Sequence, residues 1–99
     1  MRGGKDMKSY EMMYILKPYD DDFANQYVEW VIKLISSNGG VVVKNEVWGY
    51  RMLAYPIKKN DKGIYVLIYF NLDENMLKEI ARVLKNTESI IRYMIVERR

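Results

Sequence analysis

The sequence predicts an α+β fold in which one four-stranded antiparallel sheet carries two helices on a single face. Two observations predict it. Apolar and turn-forming segments follow each other in the order strand, helix, strand, strand, helix, strand. In addition, 99 residues of which 49% are hydrophobic suffice for one packed two-layer domain and are too few for two.

The first part of the chain reads as a strand followed by an amphipathic helix. Residues 10–16 (YEMMYIL) are aromatic and aliphatic and precede Pro18, which predicts a buried strand. Residues 20–22 place three carboxylates where the dipole of a following helix favours negative charge. Residues 36–40 (SSNGG) end that helix, because glycine closes helices readily. Three- and four-residue spacing predicts that its buried stripe consists of Phe23, Tyr27, Trp30, Val31, Leu34 and Ile35.

A hairpin is predicted in the middle of the chain. Its first strand runs over residues 41–57, and Gly49 inside it indicates a bulge. Residues 58–63 (KKNDKG) predict the turn, and residues 64–70 (IYVLIYF) predict the returning strand. The hairpin supplies the second and third strands of the sheet.

The last third supplies a helix beginning at residues 73–75 and a final strand over residues 90–96. Right-handed crossovers place both helices on one face, so the order βαββαβ is the ferredoxin-like fold. We expect a single domain over residues 1–99, with residues 1–7 as an N-terminal extension. The uncovered sheet face, rich in Tyr, Trp and Met, is expected to bind a partner, since exposed apolar area of that extent usually does.

The residues that most enzymes use are missing. The chain has no His and no Cys, so the usual general bases, thiolate nucleophiles and imidazole or sulfur metal ligands are absent. The acidic residues 20–22 are better explained as a helix start than as a metal site. An acylphosphatase-type enzyme would need a glycine-rich anion loop after the first strand, whereas residues 17–20 read KPYD. We therefore predict no enzyme, no metal and no cofactor.

A nucleic-acid partner is favoured by the basic residues. The formal net charge is +3, which is compatible with a polyanionic partner. Basic side chains come from the chain ends, the hairpin and the strands, which suits phosphate contacts at several points of a folded RNA. Arg51 and Arg92 are the leading candidates, because a charged residue within an apolar strand must point away from the core. The full basic set is Lys8, Arg51, Lys58, Lys59, Lys62, Arg92, Arg98 and Arg99.

Two alternatives remain open. An RNA-recognition motif shares this element order, and it stacks bases on aromatic residues of its central strands. Residues 62–69 begin like its signature, but Ile64 and Val66 stand where aromatic side chains are needed, and Tyr14 and Tyr65 are the remaining candidates for stacking. The other alternative is a ligand-sensing or self-associating ferredoxin-like module that binds no nucleic acid.

The chain resembles the bacterial small-subunit ribosomal protein S6 family over residues 8–97. The segment WGYRMLAYPIKK at residues 48–59 carries the most specific likeness. The first strand with the LKP that follows it, the GIY at residues 63–65 and the IIRYMIV at residues 90–96 resemble the family's strands with matching spacing.

The resemblance implies a structural protein that binds the central domain of small-subunit ribosomal RNA together with a neighbouring protein of the S18 type. It implies a ribosomal location, in the cytoplasm or alternatively in an organelle, with neither a membrane nor a small-molecule substrate as partner. Together with the basic set, it gives the expected RNA-binding residues as Lys8, Tyr10, Arg51, Lys58, Lys59, Arg92, Arg98 and Arg99. The residues expected to bind the partner protein are Trp48, Tyr50 and Tyr55.

Overall fold

The computed structural model describes residues 7–98 and shows one four-stranded antiparallel sheet with two helices. The elements are β1 (Met7–Leu16), α1 (Asp21–Ser37), β2 (Val41–Ile57), β3 (Asn60–Asp73), α2 (Leu77–Lys85) and β4 (Ile90–Glu97). The strand order across the sheet is β2-β3-β1-β4, so β2 and β4 are the edges. This arrangement confirms the predicted ferredoxin-like α+β fold.

The core lies between the helices and one face of the two central strands. Successive strand residues point to opposite faces, and the even-numbered residues of β1 and β3 face the helices: Tyr10, Met12, Tyr14, Leu16, Ile64, Val66, Ile68, Phe70 and Leu72, all at most 3% exposed. The helices cover them with Ala24, Val28, Val31, Ile35, Ile80 and Leu84. Each fully buried large aliphatic side chain of this kind contributes about 1.5–3 kcal/mol relative to exposure.

Helix α1 begins where the acidic residues predicted, but its buried stripe is rotated from the predicted one. The Asp20 carboxylate caps the helix by accepting a hydrogen bond of 2.9 Å from the Phe23 N–H. Of the predicted stripe, Val31 and Ile35 are buried, whereas Phe23 is 42% exposed. Tyr27, Trp30 and Leu34 are half-buried and pack against the core, as predicted. Small residues, Ala24 and Val28, occupy the rest of the buried stripe. They allow the helix to approach the sheet closely, which leaves the larger aromatic residues on its flank.

The hairpin turn is shorter than predicted. Only Lys58 and Lys59 form it, and β3 already begins at Asn60. Both lysines have positive φ, 50° and 67°, as the two central residues of a type I′ turn do. The predicted bulge at Gly49 is confirmed, because the β2–β3 register shifts between Val47 and Gly49, where φ of the glycine is +89°.

Helix α2 starts later than predicted. The Asp73 carboxylate accepts a hydrogen bond of 2.8 Å from the Asn75 N–H, but the first turn, Glu74–Met76, is a 3₁₀ helix, and α-helical geometry begins at Leu77. Within residues 7–98, no helix is long and apolar enough to cross a membrane. Residues 1–6 of the expected N-terminal extension lie outside the described residues, whereas Met7 already belongs to β1.

Candidate nucleic-acid and partner interface

The sheet face opposite the helices presents apolar side chains in rows. Across the central and edge strands, Met13 pairs with Leu67 and Met94, and the next row pairs Glu11 with Tyr69 and Val96. Met94 is 56% exposed, so this face remains partly open to solvent. Towards the hairpin the face is covered by a second small cluster of Ile15, Leu53 and Ile91, with Ile57 and Tyr65 packed against it.

A basic cleft lies beside this covered end of the sheet. Lys58 from the hairpin turn, Lys85 from the last turn of α2 and Arg92 from the start of β4 line a cleft of about 420 Å³. Its remaining walls are Leu84, Ile90, Ile91 and Tyr93, and none of the carboxylates within residues 7–98 lines it. Three cations around one open depression can receive a phosphate group, because charge-assisted hydrogen bonds to phosphate oxygens are among the strongest that proteins make.

Arg92 also borders a second, more apolar depression on the open face. This depression, of about 270 Å³, is lined by Met13, Ile15, Tyr65, Arg92, Tyr93 and Met94. Arg92 therefore lies between the basic cleft and the apolar face. A polyanion in the cleft and an apolar partner on the open face would meet at Arg92 and at Tyr93, which also lines both depressions.

The remaining predicted basic residues divide between the two ends of the sheet. Lys59 is exposed in the hairpin turn, and Arg51 is exposed on β2, opposite Gly63, with its guanidinium donating to the Tyr50 carbonyl at 3.1 Å. Lys8 and Arg98 lie at the far end of a molecule whose longest extent is 45 Å. The structure thus brings Lys58 and Arg92 together but not Lys8 or Arg98 with them. Arg99 lies outside the described residues.

The charges at the far end are already engaged within the chain. The Lys8 ammonium lies 3.1 Å from the carboxylate of Glu74 and 3.9 Å from that of Glu97. The hydrogen bond and the charge of Glu74 raise the pKa of Lys8. The Arg98 guanidinium lies 4.3 Å from the centre of the Tyr69 ring, a cation–π contact. This end offers a polyanion less uncompensated positive charge than the basic cleft does.

Two aromatic residues on β1 belong to the core. Tyr10 is 3% exposed and packs against Phe70, with ring centres 5.6 Å apart. It is therefore not placed to contact RNA, contrary to expectation, because strand alternation turns it towards the helices. Tyr14 is fully buried and its hydroxyl has no hydrogen-bond partner among the described residues. Burial raises the pKa of Tyr14, and stacking of a base on this ring is excluded.

The expected partner residues lie along the edge strand β2. Trp48, Tyr50 and Tyr55 are 43%, 48% and 64% exposed, but they do not share one face. The Trp48 indole donates to Glu46 at 3.1 Å, whereas the Tyr50 hydroxyl donates to the Tyr19 carbonyl, on the side of α1. Hydrogen bonds from Lys44 and Trp48 lower the pKa of Glu46. Exposed apolar residues that the sequence analysis did not single out extend this edge: Val41, Val43, Val47 and Met52.

Lys85 was also missed. Its position in the last turn of a helix is explained by the helix dipole alone. It lies 27 positions after Lys58 in the sequence, so no sequence signal joined the two. The cleft exists only because the hairpin turn, the end of α2 and the start of β4 meet in three dimensions.

By fold and surface, the protein is a ferredoxin-like α+β protein with a basic cleft at one end of its sheet and an apolar edge. A family model described as ribosomal protein S6 matches residues 9–97. The small ribosomal subunit protein bS6 of Fusobacterium nucleatum is 41% identical over 92 residues, covering 92% of this chain and 98% of that protein. The bS6 protein of Thermoanaerobacter pseudethanolicus is 42% identical over 91 residues, covering 91% and 96%.

A solved structure is similar to this chain over nearly its whole length. The crystal structure of 30S ribosomal protein S6 from Thermotoga maritima superposes with a TM-score of 0.88 at 35% identity, covering 93% of this chain and 88% of that one. The chain belongs to the ribosomal protein S6 family. It is therefore a structural protein of the small ribosomal subunit and not an enzyme, and both predictions are confirmed.

Proposed function

We propose that this chain binds small-subunit ribosomal RNA with the basic cleft of Lys58, Lys85 and Arg92. The single observation that carries the proposal is that these three cations line one cleft, with no carboxylate among the described residues that line it. Lys59 and Arg51 extend the same end of the molecule. The contacts are to phosphates, which fix position rather than read bases, so RNA shape sets most of the specificity.

The second half of the proposal concerns the apolar surface. The chain pairs with a neighbouring small-subunit protein of the S18 type through the β2 edge, where Trp48, Tyr50 and Tyr55 are exposed. Among the described residues, the outer side of this edge strand has no strand partner, and its exposed apolar residues gain from burial. Because its net charge is only +3, the isolated chain binds RNA weakly. A basic partner protein would strengthen RNA binding. The RNA target is the central domain of the small-subunit ribosomal RNA, on a ribosome of the bacterial type.

The test is a titration of a central-domain RNA fragment, with and without the purified S18-type protein, at several salt concentrations. The variant Lys85→Gln/Arg92→Gln is compared with Lys33→Gln/Lys78→Gln, which removes two exposed helix lysines outside the cleft. The cleft variant should weaken binding and flatten the log–log salt dependence by about 1 per lost phosphate contact. The control should retain the slope of the unmodified chain to within about 0.5.

Equal slopes for the two variants would refute the assignment of the cleft. RNA binding that is as tight without the S18-type protein would remove the need for the partner. No RNA binding in either condition, with a stable homodimer instead, would favour the self-associating module. Loss of binding on Tyr65→Ala but not on Arg92→Gln would favour base stacking of the RNA-recognition type, for which Tyr65 is the remaining candidate.

A further inference from the structure

A row of aromatic rings lies just before α1 and along one flank of it, and takes no part in the proposed RNA site. We name it the aromatic ladder and define it as Tyr19, Phe23, Tyr27 and Trp30. Tyr19 and Tyr27 stack nearly parallel, with centres 5.7 Å apart and planes at 12°. Phe23 meets them edge-on at 4.6 Å and 5.5 Å, and Trp30 meets Tyr27 edge-on at 6.4 Å. The four rings therefore form one continuous surface.

The ladder is partly open to solvent. Phe23 is 42% exposed, and a shallow depression of about 240 Å³ is lined by Phe23, Gln26, Tyr27 and Trp30. A second depression continues it towards the end of the helix, along Trp30, Lys33, Leu34, Ser36 and Ser37. Tyr19, Tyr27 and Trp30 pack against the core and are half-buried, so part of each ring still faces solvent.

The charge around the ladder is opposite to that of the rest of the chain. Residues 20–37 contain Asp20, Asp21, Asp22 and Glu29 against one cation, Lys33, a net charge of −3. Because the whole chain carries +3, all other residues together carry +6. Within residues 7–98, none of these four carboxylates lies within 4.0 Å of a lysine or arginine nitrogen. The surface is thus acidic and aromatic together.

We propose that the aromatic ladder is a docking site for a lysine- or arginine-rich segment of another protein. Cations bind over aromatic faces, and their aliphatic stems pack on the rings. The free carboxylates of Asp21, Asp22 and Glu29 complement the remaining charge of such a segment. They repel RNA and anionic lipid, and a purely apolar partner would leave them without a counterpart. This inference does not depend on the RNA-binding proposal, because α1 contributes nothing to the basic cleft.

The test uses Trp30 as a fluorescent reporter in the variant Trp48→Phe, which removes the other tryptophan. The probe is a synthetic ten-residue peptide with five arginines separated by glycine and serine. Its control is the same peptide with citrulline in place of arginine, which keeps the shape and removes the charge. The arginine peptide should change Trp30 emission in a saturable way that weakens as salt rises, and the citrulline peptide should not.

Single substitutions identify the residues that bind the arginine peptide. Phe23→Ala should weaken peptide affinity roughly two- to fivefold, the value of one exposed cation–π contact, and Asp22→Asn should weaken it by a similar factor at low salt. Asp61→Asn, an exposed carboxylate at the start of β3, is the matched control and should leave affinity unchanged. Circular dichroism of each variant confirms that the fold is retained.

Three outcomes would overturn the proposal. One is an equal response to both peptides, and another is an equal loss of affinity for Asp61→Asn and Asp22→Asn. The third is self-association in sedimentation experiments that Phe23→Ala abolishes, because the occupant would then be a second copy of this chain. None of these outcomes bears on the RNA titration, so the two proposals fail separately.

Discussion

The substitution Gly63→Ala tests how closely β3 approaches β1. A Cβ at Gly63 would overlap Cγ2 of Ile15 and would lie 2.8 Å from the carbonyl oxygen of Leu16 and 3.5 Å from Cδ1 of Ile91. Since a backbone oxygen cannot rotate away as a side chain can, the two central strands would have to separate. Overpacking of this kind costs typically 1–3 kcal/mol. We expect a loss of about 2 kcal/mol, which lowers Tm by about 8–16 °C in a domain of this size.

Urea unfolding followed by circular dichroism gives the free energy of unfolding of each variant. Gly49→Ala is the matched control, because a Cβ at this position would meet nothing within 4 Å. Only the backbone φ of +89° makes alanine unfavourable there. That backbone cost is about 1–2 kcal/mol and involves no steric overlap. The midpoint for Gly63→Ala should fall, and core packing reported by near-ultraviolet dichroism should change in that variant only. A Gly63→Ala chain as stable as the unmodified one would refute the close approach of the strands.

Three further predictions concern single interactions. Asp20→Ala removes the N-cap of α1 and should cost about 1 kcal/mol in urea unfolding, with Asp20→Asn close to the unmodified chain. Tyr14→Phe should change stability at neutral pH by less than about 1 kcal/mol, because the hydroxyl makes no hydrogen bond to the described residues. Burial raises the pKa of Tyr14 in the folded state. The unmodified chain should therefore lose stability as pH rises above about 10, where the unfolded tyrosine ionises, and Tyr14→Phe should lose less in paired titrations. Replacing the turn residues, Lys58→Asn with Lys59→Gly, should raise the unfolding free energy by about 1 kcal/mol, because both positions have positive φ. The same double substitution should weaken RNA binding. A melting temperature equal to that of the unmodified chain would contradict the positive φ of the two turn residues.

Much of the fold followed from local signals. The acidic residues marked the start of α1, Gly49 marked a bulge, and β2 has the predicted bounds, Val41–Ile57. The Asp20 side chain caps the first turn of α1, and the φ of +89° favours glycine at position 49, so both signals are local. The likeness at residues 48–59 further identified the family, which the comparisons confirm.

The errors arose at positions where tertiary packing determines which residues are buried and which distant residues lie close together. The stripe of α1 was assigned to its largest apolar residues, whereas the distance between helix and sheet favours small ones such as Ala24 and Val28. Tyr10 was assigned to the surface, although its alternation with Met12 and Tyr14 could have placed it in the core. Lys85 could not be found, because nothing in a sequence shows which distant cations share a cleft.

The irregular shape of the edge strand β2 works against fibrous aggregation. Seventeen residues of β2 with unpaired backbone groups on one side would be a template for strands of other molecules. Its register against β3 shifts three times, between Val42 and Lys44, Val47 and Gly49, and Met52 and Ile57. Each shift bends and twists the strand, so the edge never offers a long straight stretch to an incoming chain. The irregular β2 therefore remains accessible to a partner shaped to fit it while resisting uncontrolled stacking of identical copies.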